Sequence, residues 1–122
     1  MNKKLVTSRE LSQRLKEAGV KQESEFYWAL FSVGWGLIAK VNPNKNDAKE
    51  IYSAYLSGEL GELLPIGAYD YIQSKAAQKY GKWIAKYFDI KYMYRILAET
   101  EAEVRGLMLE HLIKNKLMGV RG

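Results

Sequence analysis

The chain has 122 residues, of which 48% are hydrophobic and 27% are charged, a balance typical of one folded domain and not of a disordered chain. A formal net charge of +5 is compatible with binding to nucleic acid or an anionic surface but does not require it. The absence of cysteine excludes disulfides and thiolate metal sites. No apolar run has the length of a secretory signal or the roughly 20 residues of a membrane span, so we expect a single domain over residues 1–122 in the cytoplasm.

The first predicted element is a helix over residues 8–18. Thr7 and Glu10 have the spacing of a capping box, in which the Thr7 hydroxyl accepts from the Glu10 amide and the Glu10 carboxylate accepts from the Thr7 amide. Leu11 and Leu15 follow at helical spacing, and Gly19 supplies a stop signal. The pattern predicts an amphipathic helix that is apolar on one side.

Two strands are predicted next. Residues 26–33 are rich in aromatic and branched side chains, which indicates a strand buried on both faces. Gly34 and Gly36 then predict a turn or bulge before a second strand over residues 37–41. The Asn- and Pro-rich residues 42–47 indicate a loop.

The middle of the chain gives weaker signals. Residues 48–56 fit a strand by their alternation, although a helix capped by Asp47 is the alternative. Ser57 is placed to cap a short helix over residues 58–64, which ends before a proline. One or two helical turns are expected over residues 71–78.

The C-terminal third predicts a hairpin followed by the longest helix. Residues 82–88 and 91–97 alternate in the manner of paired strands. Thr100 and Glu103 form a second capping box, and Gly119 supplies the stop signal of the helix that follows. Together the elements predict one α+β domain, in which a small antiparallel or mixed sheet of about four to five strands packs with an N-terminal and a long C-terminal helix.

Three segments of the chain resemble a family of small phage and prophage proteins of unknown function. The first is residues 10–22 leading into the aromatic run at 26–28, the second is residues 58–65, and the third is residues 99–105, opening a helix that closes with residues 112–117. The resemblance implies a phage or prophage origin and a setting inside a bacterial host cell. It implies no activity, cofactor or catalytic residue.

The side chains that most often carry enzyme chemistry are scarce in this sequence. No Gly-rich phosphate loop, metal-ligand cluster or nucleophile motif occurs, and the single histidine, His111, lies beside the apolar face of the last predicted helix, as a structural histidine would. Glu59 and Glu62 could form an acid/base pair, but their place in an amphipathic turn favours a solvated polar face. We therefore assign no catalytic residue, metal site or cofactor and expect a protein that is not an enzyme.

One region of the chain combines positive charge with aromatic side chains. It is the hairpin surface, by which we mean Lys82, Trp83, Lys86, Lys91, Tyr92, Tyr94 and Arg95. Cations for phosphates and rings for base stacking suit a single-stranded nucleic acid. A half-buried hairpin with inward aromatics and outward lysines has the same composition, and tyrosine and tryptophan are also common at protein interfaces.

These observations lead to two functional hypotheses. The first is a non-enzymatic accessory protein of phage or prophage origin that acts by binding another protein. The alternative is nucleic-acid binding through the hairpin over residues 82–95. The sequence does not identify the partner or fix the oligomeric state, and it predicts no binding to a membrane.

Overall fold

The computed structural model describes residues 2–65, 68–72, 83–88 and 93–117, with the side chains of 69–72 and of 88 left outside the description. The described residues form an α+β fold with the elements α1 (Arg9–Glu17), β1 (Phe26–Phe31), β2 (Gly34–Ala39), β3 (Glu50–Ala54), α2 (Ser57–Leu63), β4 (Ala68–Ile72), β5 (Trp83–Phe88), β6 (Met93–Ala98) and α3 (Glu101–Lys114). Short 3-10 helices at Lys3–Leu5 and Pro43–Asp47 complete the order.

The strands form two antiparallel sheets of three strands, in the orders β2-β1-β3 and β4-β5-β6. The prediction of one sheet with about four to five strands is therefore wrong in its architecture, although the α+β class is confirmed. Two sheets are stable here because each has its own helix cover: the first packs on α1 and the second on α3, while α1 and α3 contact each other.

The first sheet begins with a tight hairpin. Phe31 pairs with Gly34, so Ser32 and Val33 are the two residues of the turn. Gly34, the first residue after the turn, has a positive φ of 121°, which glycine adopts easily. The turn was predicted at Gly34 and Gly36, which lie instead within β2. The predicted burial on both faces of β1 is confirmed at its centre alone: Trp28 and Ala29 are buried on opposite faces, and the other four residues are partly exposed.

The strand prediction for residues 48–56 is confirmed by β3, which pairs with β1. The predicted loop at residues 42–47 contains the 3-10 helix Pro43–Asp47. The hairpin prediction is confirmed by the antiparallel pairing of β5 and β6. The helix predicted over residues 71–78 is wrong at residues 71–72, which lie in β4 and pair with β5, and its remaining residues lie outside the described part of the chain.

The cap of α1 differs from the predicted one by one residue. Ser8 is the cap, and its hydroxyl accepts from the Leu11 amide at 3.2 Å. Thr7 is fully buried, and its hydroxyl instead accepts from the Tyr55 amide at 3.1 Å and shares a hydrogen bond with Ser12. A buried backbone amide needs a partner more than an exposed helix terminus does, which explains the exchange.

The predicted cap of α3 is confirmed in its first half. The Thr100 hydroxyl accepts from the Glu103 amide at 3.1 Å. The Glu103 carboxylate does not serve its own helix as predicted: its two oxygens accept from the amide and the hydroxyl of Ser8, each at 2.8 Å. The N-termini of α1 and α3 are thus joined by one carboxylate.

The cap of α2 was predicted at Ser57, which is instead the first residue of the helix. The residue before it, Leu56, takes the cap position, and its amide donates to the Glu59 carboxylate at 2.8 Å. The helix start is therefore stabilised by the Glu59 carboxylate, which accepts from the amide of the cap residue, and not by a serine hydroxyl as predicted.

The two long helices end in the same way. In α1 the residue with positive φ is Gly19, as predicted, and the Val20 amide donates to the Leu15 carbonyl. In α3 the residue with positive φ is Lys116, at 57°, and the amide of the next residue, Leu117, donates to the Leu112 carbonyl. The helix thus ends at Lys114, before the predicted stop at Gly119, which lies outside the described residues.

Helix α3 packs on both halves of the molecule. Leu109 belongs to a buried cluster with Leu11 and Leu15 of α1, while Leu112 belongs to a second buried cluster with Ala85 and Tyr87 of β5. Gly106 lets α3 approach α1 closely, because a Cβ there would lie 2.7 Å from Leu11 Cδ2 and 2.9 Å from Thr7 Cγ2. The first halves of α1 and α3 are therefore in close contact.

Candidate interaction surfaces

The hairpin surface is described in part: Lys82, Lys91 and Tyr92 lie outside the described residues. Of the other four, Lys86 and Arg95 are direct cross-strand neighbours and so share a face of the second sheet. Trp83 and Tyr94 lie on the opposite face, against the cluster that contains Met108 and Leu112.

The orientation of these four residues separates the rings from the cations. Trp83 and Tyr94 pack toward α3, and the Tyr94 ring stacks on His111 with centroids 3.4 Å apart and planes 7° from parallel. Met93 and Arg95 are exposed on the other face. A single-strand site needs both kinds of group on one surface. In the described part of the hairpin the aromatic rings and the cations lie on opposite faces, as in a sheet that packs one face against the core.

His111 is half-buried, and this burial lowers the pKa of its imidazole below the usual value. Its neighbours include the Tyr94 ring and the Asn115 side chain, whose amide nitrogen lies 3.2 Å from Nδ1. Across the described residues no group of three or more His, Cys, Asp or Glu side chains is placed to hold a metal ion. The surroundings of His111 are those of a packing residue.

Glu59 and Glu62 both border a hollow of about 280 Å³ next to Tyr55. The Glu59 carboxylate accepts from the Leu56 amide at 2.8 Å and from the Glu25 amide at 3.0 Å, and Glu62 is exposed. Burial raises the pKa of the Tyr55 hydroxyl, which donates to the Lys21 carbonyl. These bonds tie the loop before β1 to α2 and to the residue that follows β3, which is a structural role.

A larger groove lies at the other end of α1, and we call it the tryptophan groove. It has a volume of about 580 Å³ and is formed by the N-terminal segment, the starts of α1 and α3, and the first sheet. Its lining residues are Lys3, Lys4, Val6, Ser8, Arg9, Glu10, Trp28, Trp35, Glu99, Thr100 and Glu103.

The two tryptophans of the groove are held in different ways. Trp28 is buried, and its indole N–H donates to the Thr7 carbonyl at 2.9 Å. Trp35 is partly exposed and stacks on Tyr52, with ring centroids 5.6 Å apart. The Arg9 guanidinium lies 4.8 Å from the centre of the Trp35 ring, within the range of a cation–π contact.

Charges of both signs surround these rings. Lys3 lies 5.7 Å from the centre of the Trp28 ring, and Arg9 is paired with Glu10 at 3.1 Å. Glu103 is engaged with Ser8. The groove therefore offers an apolar floor and a polar rim, a combination suited to receiving an apolar side chain from another molecule.

The sequence reasoning missed the groove because it extended the first strand to residue 33 and placed the turn at Gly34 and Gly36. The usable signal was the hairpin itself. With a two-residue turn after Phe31, Trp28 pairs with Leu37 and Leu30 pairs with Trp35. Trp28 and Trp35 therefore lie on one face of the sheet, where α1 and the N-terminal segment meet it.

Within the part of the chain that the structure describes, no helix has the length and apolar character needed to cross a membrane. Comparison of this chain with protein-family models, with curated proteins and with solved structures finds no match. The resemblance to phage and prophage proteins therefore stays a prediction from the sequence.

Proposed function

We propose that this chain is a non-enzymatic accessory protein of phage or prophage origin that acts in the bacterial cytoplasm by binding another protein in the tryptophan groove. The observation that carries the proposal is Trp35, which lines a groove of about 580 Å³ and remains partly exposed. The phage origin rests on the resemblance of the three sequence segments given above.

The composition of the groove suits a protein interface. Tryptophan, tyrosine and arginine dominate the binding energy of protein–protein contacts. The groove presents Trp35, whose ring stacks on Tyr52 and lies under the Arg9 guanidinium. Because the ring is already held between its neighbours, binding costs little additional side-chain entropy. The site is therefore pre-formed for an incoming side chain.

The charged residues at the rim of the groove indicate which groups of the partner surround the side chain that enters it. Lys3, Lys4 and Glu99 are exposed at the rim, while Arg9 and Glu103 are already paired. An apolar or aromatic side chain of the partner fills the groove, and polar groups of both signs surround it. Rim charges of this kind affect the association rate and its salt dependence more than the affinity.

The test starts with affinity capture of the partner and continues with the purified pair in a calorimeter. Trp35→Ala and Arg9→Ala should each weaken binding, the tryptophan change by about 2 kcal/mol or more, which is roughly thirtyfold. Arg95→Ala is the matched control, because it removes an exposed arginine from the second sheet. Binding that survives both groove variants would contradict the proposal, and so would binding that is lost equally in Arg95→Ala.

A second candidate, nucleic-acid binding through the hairpin over residues 82–95, is favoured by one observation. Lys86 and Arg95 are paired directly across β5 and β6, so two basic residues share one face. Random single-stranded and duplex DNA, titrated at about 50 and 200 mM salt, tests it. Lys86→Glu and Arg95→Glu should weaken binding and flatten its salt dependence, whereas Lys21→Glu, an exposed lysine elsewhere, should not. Wild-type protein that does not bind at low salt removes this candidate.

A further inference from the structure

Trp35, which lines the tryptophan groove, carries a hydrogen-bond donor that the protein itself does not use. Its indole N–H has no partner among the described residues. It is not a buried atom either, because in that part of the chain the Ser53 hydroxyl is the one buried side-chain group without a partner. The indole N–H of Trp28, in the same groove, donates to the Thr7 carbonyl. Of the two tryptophans, therefore, Trp35 has its donor open to a ligand.

The other polar groups around the rings add further free donors. Lys3 and Lys4 are exposed and form no ion pair with any residue that the structure describes. Arg9 uses one of the five N–H groups of its guanidinium in its ion pair. Two of the three carboxylates that line the groove are engaged, one with Arg9 and one with the start of α1. Free donors at the groove are therefore more numerous than free acceptors.

The charges of the groove cancel. Its lining contains three cations and three carboxylates, so its formal charge is zero. A strongly charged ligand would be attracted by half of these groups and repelled by the other half. A surplus of donors without a net charge suits neutral acceptors, and the backbone carbonyl is the neutral acceptor that every residue of a protein partner carries.

The conformation of the partner decides whether its carbonyls are free. In an α-helix each carbonyl inside the helix is already bonded, so a helix lying on the groove would cover the Trp35 N–H without satisfying it. An extended strand brings an N–H with every carbonyl, and the groove has few free acceptors for these groups. Proline has no N–H, and a polyproline II segment has no internal hydrogen bonds. This backbone matches the donors of the groove.

We propose that the segment of the partner that enters the tryptophan groove is proline-rich and binds as a polyproline II helix, with one of its carbonyls accepting from the Trp35 indole N–H. The inference rests on the proposed function, because it specifies the occupant of the same groove. Proline-rich segments dock into aromatic-lined grooves, and here the Trp35 ring, stacked on Tyr52, offers such a surface. A polyproline II helix is already formed before binding, so it loses little conformational entropy.

A titration with decaproline, followed by the indole N–H signals in NMR spectra of the ¹⁵N-labelled protein, tests the hydrogen bond. The chain has three tryptophans and so three such signals, which single Trp→Phe variants assign. The Trp35 signal should move and saturate, while that of Trp83, which packs toward α3, should stay in place. A glycine–serine peptide of equal length should move neither. A Trp35 signal that stays in place up to about 1 mM decaproline, or that both peptides move equally, would overturn the proposal.

Trp35→Phe separates the donor from the ring, because phenylalanine keeps an aromatic side chain and lacks the N–H. It should weaken decaproline binding by about tenfold, as expected for the loss of one hydrogen bond in a covered site. Trp83→Phe is the matched control and should bind like the wild type. Equal affinity of Trp35→Phe and the wild type would show that the indole donor is not used and would overturn the proposal.

The captured partner distinguishes a failure of this inference from a failure of the proposed function. Partner binding that is lost in Trp35→Ala, unchanged in Trp35→Phe and not displaced by decaproline would keep the groove as the interface and overturn the proline-rich occupant. Binding that is unchanged in both variants would overturn both proposals. Weaker binding in both variants, together with displacement by decaproline, is the result that we expect.

Discussion

The two sheets contain similar residues and use them in opposite ways. Both are antiparallel and three-stranded, and both carry tryptophan and tyrosine. In the second sheet α3 covers the face with Trp83 and Tyr94. In the first sheet α1 and the N-terminal segment cover their face incompletely, which leaves Trp35 partly exposed in a groove. The position of the covering helix decides which rings another molecule can reach, and aromatic density in the sequence does not.

The proposed contact with another protein lies on the first sheet, at the tryptophan groove. In that proposal the second sheet, with α3, supports the first.

The largest effect should come from α3, which packs on both halves. Leu109→Ala opens a cavity beside α1, and Leu112→Ala opens one beside the second sheet. Each leucine is buried, so each change should cost about 2–5 kcal/mol of the free energy of unfolding, measured by urea denaturation. A single transition in both variants means that the halves unfold together. A second transition in one variant would show that the sheets are independent.

A smaller cost is expected at the contact of α1 with α3. Gly106→Ala places a Cβ within 3 Å of Leu11 and of Thr7, both buried, and should lower the free energy of unfolding by about 1–3 kcal/mol. Gly58→Ala is the matched control, since that helical glycine has nothing within 4 Å of an added Cβ. Equal melting temperatures in the two variants would contradict the close approach of the helices.

The ion pair between the same helices should make stability depend on pH. Burial raises the pKa of Glu110, but hydrogen bonds from Arg14 and Lys114 outweigh it and hold that pKa below its usual value of 4.5. A carboxyl with a lowered pKa in the folded state stabilises above its unfolded pKa and loses this effect as the pH falls through the folded value.

Glu110→Gln should therefore lower stability at neutral pH and flatten the fall of stability below pH 4.5. Glu62→Gln, at an exposed position, should change neither feature. Thermal melts of the three proteins across this pH range are the measurement. A Glu110→Gln curve parallel to that of the wild type would show that the pair does not titrate as described.

The smallest effect should be a stabilisation at the end of α3. Lys116 has a φ of 57°, a conformation that costs residues other than glycine free energy. Lys116→Gly should raise the free energy of unfolding by about 0.5–1 kcal/mol, seen as a higher denaturation midpoint. Lys114→Gly, inside the helix, should lower it. A loss of stability in both variants would mean that the helix continues past residue 116.

The sequence predicted local structure well where the signal was local. The period-two alternation of the hairpin and the Thr100 cap were confirmed, and Gly19 ends α1 as expected. Tertiary contacts decided the rest. Thr7 lost its capping role because the buried Tyr55 amide needed its hydroxyl, and Lys116 took the stop position in α3 although no glycine marks it.

The division into two sheets could not be read from the sequence. It depends on α1 and α3 lying between them, and no local pattern encodes that placement. The groove was missed for a related reason: the pairing of Leu30 with Trp35 follows from the position of the turn, which was predicted two residues too late. The α+β class needed no tertiary information and was confirmed.

The most direct test of the central claim, that the first sheet makes the contact and the second supports it, is amide hydrogen exchange by NMR on the protein alone and with its captured partner. We expect the amides of Arg9 and Trp35, which line the tryptophan groove, to gain protection when the partner binds while those of β6 stay unchanged. Protection that rises in β6 and not around the groove would contradict the account.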